Sequence, residues 1–283
     1  MNRRQFFGKS AMGLGSALIA SQIPSFLNAA EGSKALSKPL GFQIWTIKNK
    51  LLEDFPGTLK MMADLGYQSV EMCSPVGYGF KTLIDMKGAQ MKKIVEDSGL
   101  KLLSCHYGMK ELRETLDERI NWAKEAGMKQ MILASFDGRK DAKLSDWQKS
   151  ADELNEIGAK VKKAGIQMGY HNHDMEFEKL DGVLIYDELM RRFDPDLIKM
   201  QFQVAVVRLG FKAADYFKQY PGRYLSAHLA DWSTTDKKMV PIGQGIVDWK
   251  EFFAAAEKCG VKNYFVEMNP DTFKDSANYI KNL

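Results

Sequence analysis

The sequence has few of the residues that mark several common protein classes. Its 283 residues include only three cysteines and eight prolines, which excludes a disulfide-stapled scaffold and a proline-rich disordered chain. Basic residues number 40 and acidic residues 36, and this mild excess gives no electrostatic reason to expect binding to nucleic acid or to an anionic membrane. No stretch after residue 30 approaches the roughly 18 apolar residues of a membrane helix. With 45% hydrophobic residues, the chain can bury the core of one large α/β domain.

Residues 1–30 have the composition of an export signal. Two paired arginines, Arg3 and Arg4, are followed by two phenylalanines and then by a weakly apolar run that ends near Ala20. Small residues at 28–30 offer a cleavage site. The paired arginines resemble a twin-arginine signal, and an ordinary secretory signal is the alternative. We therefore predict a periplasmic protein whose mature part follows this segment.

Five segments of the remaining chain, residues 31–283, share one pattern. In each of them a helical stretch ends at a glycine, and one apolar and one polar residue lead into an apolar strand. Glycine adopts the left-handed conformation that ends a helix, and a buried parallel strand follows it. These glycines are Gly66, Gly99, Gly127, Gly165 and Gly260.

Three further apolar stretches fit the same spacing: Leu40–Ile47, Ile198–Val204 and Tyr224–Leu229. Amphipathic stretches such as Leu112–Ala126 separate the strands. Eight strands, each followed by a helical segment, predict an α/β fold of one (β/α)8 TIM barrel. An open doubly wound sheet is the alternative, but no Gly-x-Gly-x-x-Gly motif follows any predicted strand.

A barrel predicts that functional side chains lie at the carboxyl ends of its strands. All four histidines of the sequence fall at such ends: His106, His171, His173 and His228. Because side chains alternate along a strand, other polar residues should share a face there. These pairs are Gln43 with Trp45, Glu71 with Cys73, Gln201 with Gln203, Ser226 with His228, and Glu267 with Asn269.

Each candidate also has a structural interpretation. His106 could bond a loop carbonyl, and Glu71 could pair with a cation inside the barrel. Glu267 and His228 lie among apolar neighbours, where a charged or polar group needs a partner, and this favours a functional role.

Cysteines and tryptophans near these strand ends leave two questions open. Cys73 and Cys105 could form a disulfide in an oxidising compartment, although we expect buried free thiols. Trp45 and Trp232 could stack on a sugar ring or simply pack the loops.

Several stretches resemble, in the correct order, the xylose isomerase-like superfamily of sugar isomerases and epimerases. They are Leu40–Thr46, Gly169–Phe177, Tyr220–Leu229, Val240–Lys250 and Tyr264–Glu267. The resemblance covers nearly the whole mature chain. It implies a barrel that acts on a sugar or polyol with a divalent metal, often manganese, held on strands five to eight.

Carried over residue by residue, the resemblance implies that His171, His228 and Glu267 bind the metal. Gln203 stands where relatives carry an aspartate, and an amide oxygen is a weaker ligand than a carboxylate for hard cations. The site should therefore suit zinc better than manganese, or it could be empty. Three more charged positions of the family are uncharged here: Gln201, Ala230 and Gln244.

The chemistry that the resemblance implies is proton transfer next to a carbonyl, through an enediolate. Glu267 or Glu176 would move the proton, and His228 would polarise the carbonyl. His173 and His106 would donate hydrogen bonds to the developing oxyanion. The substrate-binding candidates are Trp45, Glu71, Gln201, Gln203 and Trp232.

Other activities compete with this one. A carbohydrate-binding barrel without catalysis is the main alternative, and a metal-dependent endonuclease is disfavoured by the near-neutral charge. No lysine ends a predicted strand and no Gly-x-Ser-x-Gly motif occurs, so Schiff-base and serine-nucleophile mechanisms are not expected.

Overall fold

The computed structural model describes residues 39–138 and 141–283. The predicted export signal, residues 1–30, lies outside these ranges. Within them, no helix has the length and apolar character needed to cross a lipid bilayer.

Eight parallel strands close into a barrel, which confirms the predicted fold. Each strand pairs with the next along the chain, and the last pairs with the first through Leu40 and Tyr264. The strands are β1 (Leu40–Gln43), β2 (Ser69–Cys73), β3 (Lys101–Tyr107), β4 (Gln130–Leu133), β5 (Gln167–His171), β6 (Ile198–Gln203), β7 (Tyr224–Leu229) and β8 (Asn263–Val266).

Helices follow every strand and cover the outside of the barrel. They are α1 (Lys48–Glu53), α2 (Phe55–Asp64), α3 (Gly88–Asp97), α4 (Met109–Glu125), α5 (Leu144–Lys163), α6 (Ile185–Arg192), α7 (Ala213–Gln219), α8 (Trp249–Cys259) and α9 (Phe273–Lys281). The loops after the strands carry short 3-10 helices at Trp45–Ile47, Met175–Phe177, Val204–Leu209 and Pro270–Thr272. They also carry two hairpins, Lys179–Leu180 with Val183–Leu184 and Asp231–Ser233 with Lys238–Val240.

The predicted glycine caps explain where helices stop and strands begin. The five glycines that precede β2, β3, β4, β5 and β8 all have positive φ, between 73° and 98°. Other side chains adopt this conformation only with strain, so these positions require glycine.

Two strands end earlier than the sequence suggested. The stretch Leu40–Ile47 was expected to be one strand, but β1 stops at Gln43 and a 3-10 helix begins at Trp45. The Gln43 side-chain carbonyl accepts the Trp45 N–H and so replaces a strand partner. In β6, Gln203 accepts the Ala205 N–H at 3.3 Å and ends the strand one residue before Val204 in the same way. Glutamine side chains therefore turn the chain at both strand ends.

Phe265 on β8 fills the barrel interior. A Cβ atom on Gly41 would lie only 2.6 Å from the Phe265 ring, so a glycine is needed opposite it. On its other side Phe265 packs edge-on against His228, with ring centroids 6.2 Å apart. This packing positions His228 at the carboxyl end of the barrel.

Candidate functional site

Seven polar side chains meet at the carboxyl ends of the strands and are almost wholly buried. None of them is more than 4% exposed. Buried polar groups require hydrogen-bond partners, and these residues supply most of them to one another. We call them the buried polar cluster: Glu71, Ser104, His106, His171, Gln201, Ser226 and His228.

Glu71 lies at the centre of this cluster with no exposed surface. Its Oε1 is 2.5 Å from Nε2 of His228 and 3.0 Å from Nε2 of His106. Its Oε2 accepts hydrogen bonds from Ser104 Oγ at 2.5 Å and from Gln201 Nε2 at 2.9 Å. Burial would raise the pKa of Glu71, but the two imidazoles outweigh burial and hold that pKa below its usual range. The predicted substrate contact for Glu71 stays a prediction, although both of its oxygens already have protein partners.

His228 is held between two carboxylates. Its Nε2 faces Glu71, and its Nδ1 lies 3.0 Å from Oε2 of Glu267. Burial lowers the pKa of His228, but the two carboxylates have the larger and opposite effect and raise this pKa to about 9. For Glu267 burial acts in the other direction and raises the pKa. The contact with His228 outweighs burial, so the pKa of Glu267 falls below its usual value. The Glu267 side chain is 16% exposed while that of Glu71 is 0% exposed, so Glu267 is the more accessible of the two carboxylates.

The two glutamines on β6 satisfy carboxylates with amide donors. Gln203 Nε2 donates to Glu267 Oε2 at 2.8 Å. Because Gln203 Oε1 accepts the Ala205 N–H, the amide cannot turn over without losing both bonds. Gln201 Nε2 donates to Glu71, and Gln201 Oε1 lies 2.7 Å from Nε2 of His106.

His171 and His173 keep nitrogens without a hydrogen-bond partner. The Nδ1 atoms of both are buried and unpaired among the described residues. Burial lowers the pKa of His171 well below its usual value, and burial lowers the pKa of His173 to about 4. Both imidazoles are therefore neutral at neutral pH and have lone pairs available to a metal or a substrate.

Three of the imidazoles are close enough to share a cation. Side-chain nitrogens of His106, His171 and His228 all lie within 4.8 Å of one another. Three imidazoles are typical ligands of zinc, so the donor set fits a divalent metal. The structure thus brings together His171 and His228 of the predicted ligand set and adds His106. Glu267 lies against Nδ1 of His228, and Glu71 lies against Nε2 of the same ring.

Glu176 is turned into the protein and has no exposed surface. Its Oε1 accepts the Tyr170 hydroxyl at 2.5 Å, and its Oε2 accepts the His173 backbone N–H at 2.7 Å. These contacts hold the loop after β5. Its predicted role in proton transfer stays a prediction.

The two tryptophans that were predicted to bind substrate lie in loops that follow strands. Trp45 is 42% exposed, and the Lys48 ammonium sits 3.4 Å above its ring. Trp232, which follows β7, is partly buried, and the Arg208 guanidinium lies 5.9 Å from its ring. The predicted stacking of a sugar on these two rings stays a prediction.

Sequence reasoning missed Asp231. This buried carboxylate accepts five N–H donors: the backbone amides of Trp232, Gly243, Gly245 and Val247, and the indole of Trp249. Asp231 thereby fixes the loop between β7 and α8. Only its place two residues after the strand-seven end could have pointed to it.

The cysteines are free thiols, as the sequence analysis expected. Cys73 accepts a hydrogen bond from Gln43 Nε2 at 3.2 Å. Burial raises the pKa of Cys73 and of Cys105, so both thiols are protonated at neutral pH.

A closed parallel barrel with histidines and carboxylates at its carboxyl ends defines a TIM barrel with a polar centre compatible with a metal. The sequence model of the xylose isomerase-like TIM barrel family matches residues 59–283, and the chain belongs to that family.

Individual relatives are more distant. The chain is 30% identical over 103 residues to an inosose dehydratase of Clostridium perfringens, a match that covers 36% of this chain and 34% of that protein. It therefore spans about a third of the length of the curated relatives it matches. A sugar phosphate isomerase/epimerase from Parabacteroides distasonis has the same fold, with a TM-score of 0.73 and 24% identity over 87% of this chain and 94% of its own. The IolI protein, solved with a bound zinc atom, has a TM-score of 0.60 and 17% identity over 86% of this chain and 93% of its own.

Proposed function

We propose that this protein moves a proton next to a carbonyl group of a sugar or polyol, as an isomerase, an epimerase or a dehydratase. The observation that carries the proposal is the pair formed by Glu267 and His228. A partly exposed carboxylate rests on a wholly buried imidazole, which is the arrangement expected of a positioned general base.

In this mechanism Glu267 removes a proton from the carbon beside the carbonyl. His228 Nδ1–H donates to Glu267 and holds the carboxylate in place. The proton that Glu267 has taken returns to the neighbouring carbon in an isomerisation, or leaves with a departing hydroxyl as water in a dehydration. In an epimerisation, water on the opposite face of the enediolate donates the replacement proton, and Glu267 returns its own proton to solvent. His173, neutral at physiological pH, hydrogen-bonds the oxygen on which charge develops.

A divalent metal would be held by His106, His171 and His228. When bound, it would polarise the carbonyl and a neighbouring hydroxyl. The zinc of the IolI structure supports zinc as the first metal to test.

The names of the relatives support the substrate class. Inosose dehydratase and sugar phosphate isomerase/epimerase are both named for polyhydroxylated carbonyl compounds. We propose an unphosphorylated sugar or polyol for this chain, in keeping with the proposed export and the lack of an evident phosphate loop.

The test is product formation from a panel of aldoses, ketoses and an inosose, followed by NMR with zinc or manganese present. We expect a new isomer or a dehydrated product with the wild type. Loss of activity in Glu267→Gln, but not in Glu257→Gln on the outside of α8, supports the base assignment. Unchanged activity in Glu267→Gln contradicts it.

A carbohydrate-binding barrel without catalysis is the second candidate. It is favoured by the amides of Gln201 and Gln203, which satisfy Glu71 and Glu267 without a cation. In that case a sugar should raise the Tm equally with and without chelator, because binding stabilises the native state by mass action. No product should form.

We also propose that residues 1–30 direct export to the periplasm. Changing Arg3 and Arg4 together to lysine should leave the protein in the cytoplasm if the twin-arginine route is used. Continued export of this double variant would point to the ordinary secretory route.

A further inference from the structure

We infer that the metal site of this chain lies on the Nε2 side of His228, where His106, His171 and Glu71 surround it, and not on the Nδ1 side with Glu267. The inference concerns the metal site within the proposed catalytic centre. It can be tested without turnover, because it predicts where a cation binds and not what reaction follows.

The argument starts from the two nitrogens of His228. An imidazole nitrogen that binds a metal uses its single lone pair, so each side of the ring defines a separate site. On the Nε2 side, Oε1 of Glu71 lies 2.5 Å from His228 and 3.0 Å from Nε2 of His106. On the Nδ1 side, Oε2 of Glu267 lies 3.0 Å away.

Gln203 closes the Nδ1 side to a cation. Its amide N–H donates to the same Glu267 oxygen that faces His228, at 2.8 Å. The bond from Ala205 to Gln203 Oε1 fixes the amide in this orientation. A cation placed there would meet the positive end of an amide dipole and would need an oxygen that Gln203 has turned away.

The Nε2 side offers the opposite environment. Glu71 supplies a carboxylate with no exposed surface, and His106 and His228 already aim nitrogens at it. His171 adds a third imidazole with a buried Nδ1 that has no partner among the described residues. Three imidazoles and one carboxylate are all ligand types that zinc accepts.

Binding there requires Glu71 Oε1 and His228 Nε2, which are 2.5 Å apart, to separate by about 1 Å, because zinc bonds of about 2.0–2.2 Å hold neighbouring ligand atoms more than about 3 Å apart. The cation replaces the proton between His228 Nε2 and Glu71 and the proton that His106 Nε2 directs at Gln201 Oε1 and Glu71 Oε1, and those protons leave to solvent. The Nδ1–H of His228 still donates its hydrogen bond to Glu267, so the same ring can hold the metal and orient the proposed base. With glutamine at position 203, the metal site thus lies at Nε2 of His228 and not at Nδ1.

The test is zinc binding by titration calorimetry and elemental analysis of the purified protein. We expect one zinc per wild-type chain. Loss of an outer-shell partner costs about 10–100-fold in metal affinity, so His106→Ala, which removes a ligand, should weaken zinc binding at least about 100-fold. The matched histidine variant, His173→Ala, should stay within about 10-fold of wild type, and Glu267→Gln, which changes only the hydrogen-bond partner of His228, should weaken zinc binding by about 10-fold.

The reverse pattern overturns the inference: zinc binding lost in Glu267→Gln and kept in His106→Ala. A wild-type chain that takes up no zinc overturns it as well. Circular dichroism verifies the folding of each variant. Should His106→Ala fail to fold, anomalous diffraction from zinc-soaked wild-type crystals decides, by a peak beside Glu71 or a peak beside Glu267. Zinc beside Glu71 in a protein that turns over no sugar would leave the inference standing and refute the proposed function.

Discussion

Replacing Asp231 with asparagine should destabilise the protein while keeping the side chain's size. The Asp231 carboxylate accepts two N–H donors on Oδ1, from Trp232 at 2.9 Å and Val247 at 3.2 Å. Its Oδ2 accepts three, from Gly243 at 2.9 Å, Gly245 at 3.1 Å and the Trp249 indole at 2.9 Å. Asparagine keeps one of these oxygens and puts an NH2 group in place of the other.

The cost follows from the number of donors that lose an acceptor. If the remaining oxygen takes the Oδ2 position, two donors face an N–H group, and each costs about 1–3 kcal/mol. Since the backbone amides at this loop are partly open to water, we expect the lower part of the sum, about 2–4 kcal/mol. For a domain of this size that corresponds to a fall in Tm on the order of 10 °C.

Thermal unfolding followed by circular dichroism measures the change, with a urea titration to check it where heating is irreversible. Asp248→Asn is the matched control. Asp248 is exposed and, among the described residues, accepts the Glu251 N–H as the N-cap of α8, a position that asparagine fills equally well. An Asp231→Asn variant that melts within about 1 °C of Asp248→Asn would refute the claim that this carboxylate organises the loop.

Three more predictions concern packing, thiols and charge. Gly88→Ala should lower the free energy of unfolding in urea by about 1–3 kcal/mol, because its Cβ would lie 2.2 Å from a backbone carbonyl of α4. The control is Gly108→Ala, where a Cβ meets nothing within 4 Å. Cys73 and Cys105 should react with a thiol reagent only after denaturation, since burial raises their pKa; rapid modification of the native protein would contradict this. Gln203→Asp should lower the Tm of metal-free protein, because an N–H donor to Glu267 becomes a like charge, and added zinc should restore the Tm. An unchanged Tm in chelator would count against the contact between Gln203 and Glu267.

The sequence predicted the barrel because its signals are local. A helix that ends in positive φ requires a glycine, and the sequence shows that glycine at positions such as Gly66 and Gly260. The alternation of side chains along a strand then placed the polar residues inside. The early end of β1 escaped prediction because it depends on the Gln43 side chain turning back onto its own backbone.

The pairing inside the site could not be read from the sequence. Glu71 and His228 are 157 residues apart, and only the closure of the barrel brings them together. Asp231 was missed because most of its partners are backbone amides, which leave no trace in residue type. Residue types alone thus predicted which side chains gather at the strand ends, but did not specify which carboxylate faces which nitrogen.

Deuterium exchange in D2O tests the central claim most directly, because it detects proton removal even where no net reaction occurs. The zinc-loaded protein is incubated with each sugar or inosose of the panel, and loss of the C–H signal beside the carbonyl is followed by NMR. We predict exchange at one carbon of at least one compound with the wild type and none above background with Glu267→Gln. Absence of exchange with every compound that raises the Tm of the wild type would contradict the account, and would identify the protein as a sugar-binding barrel.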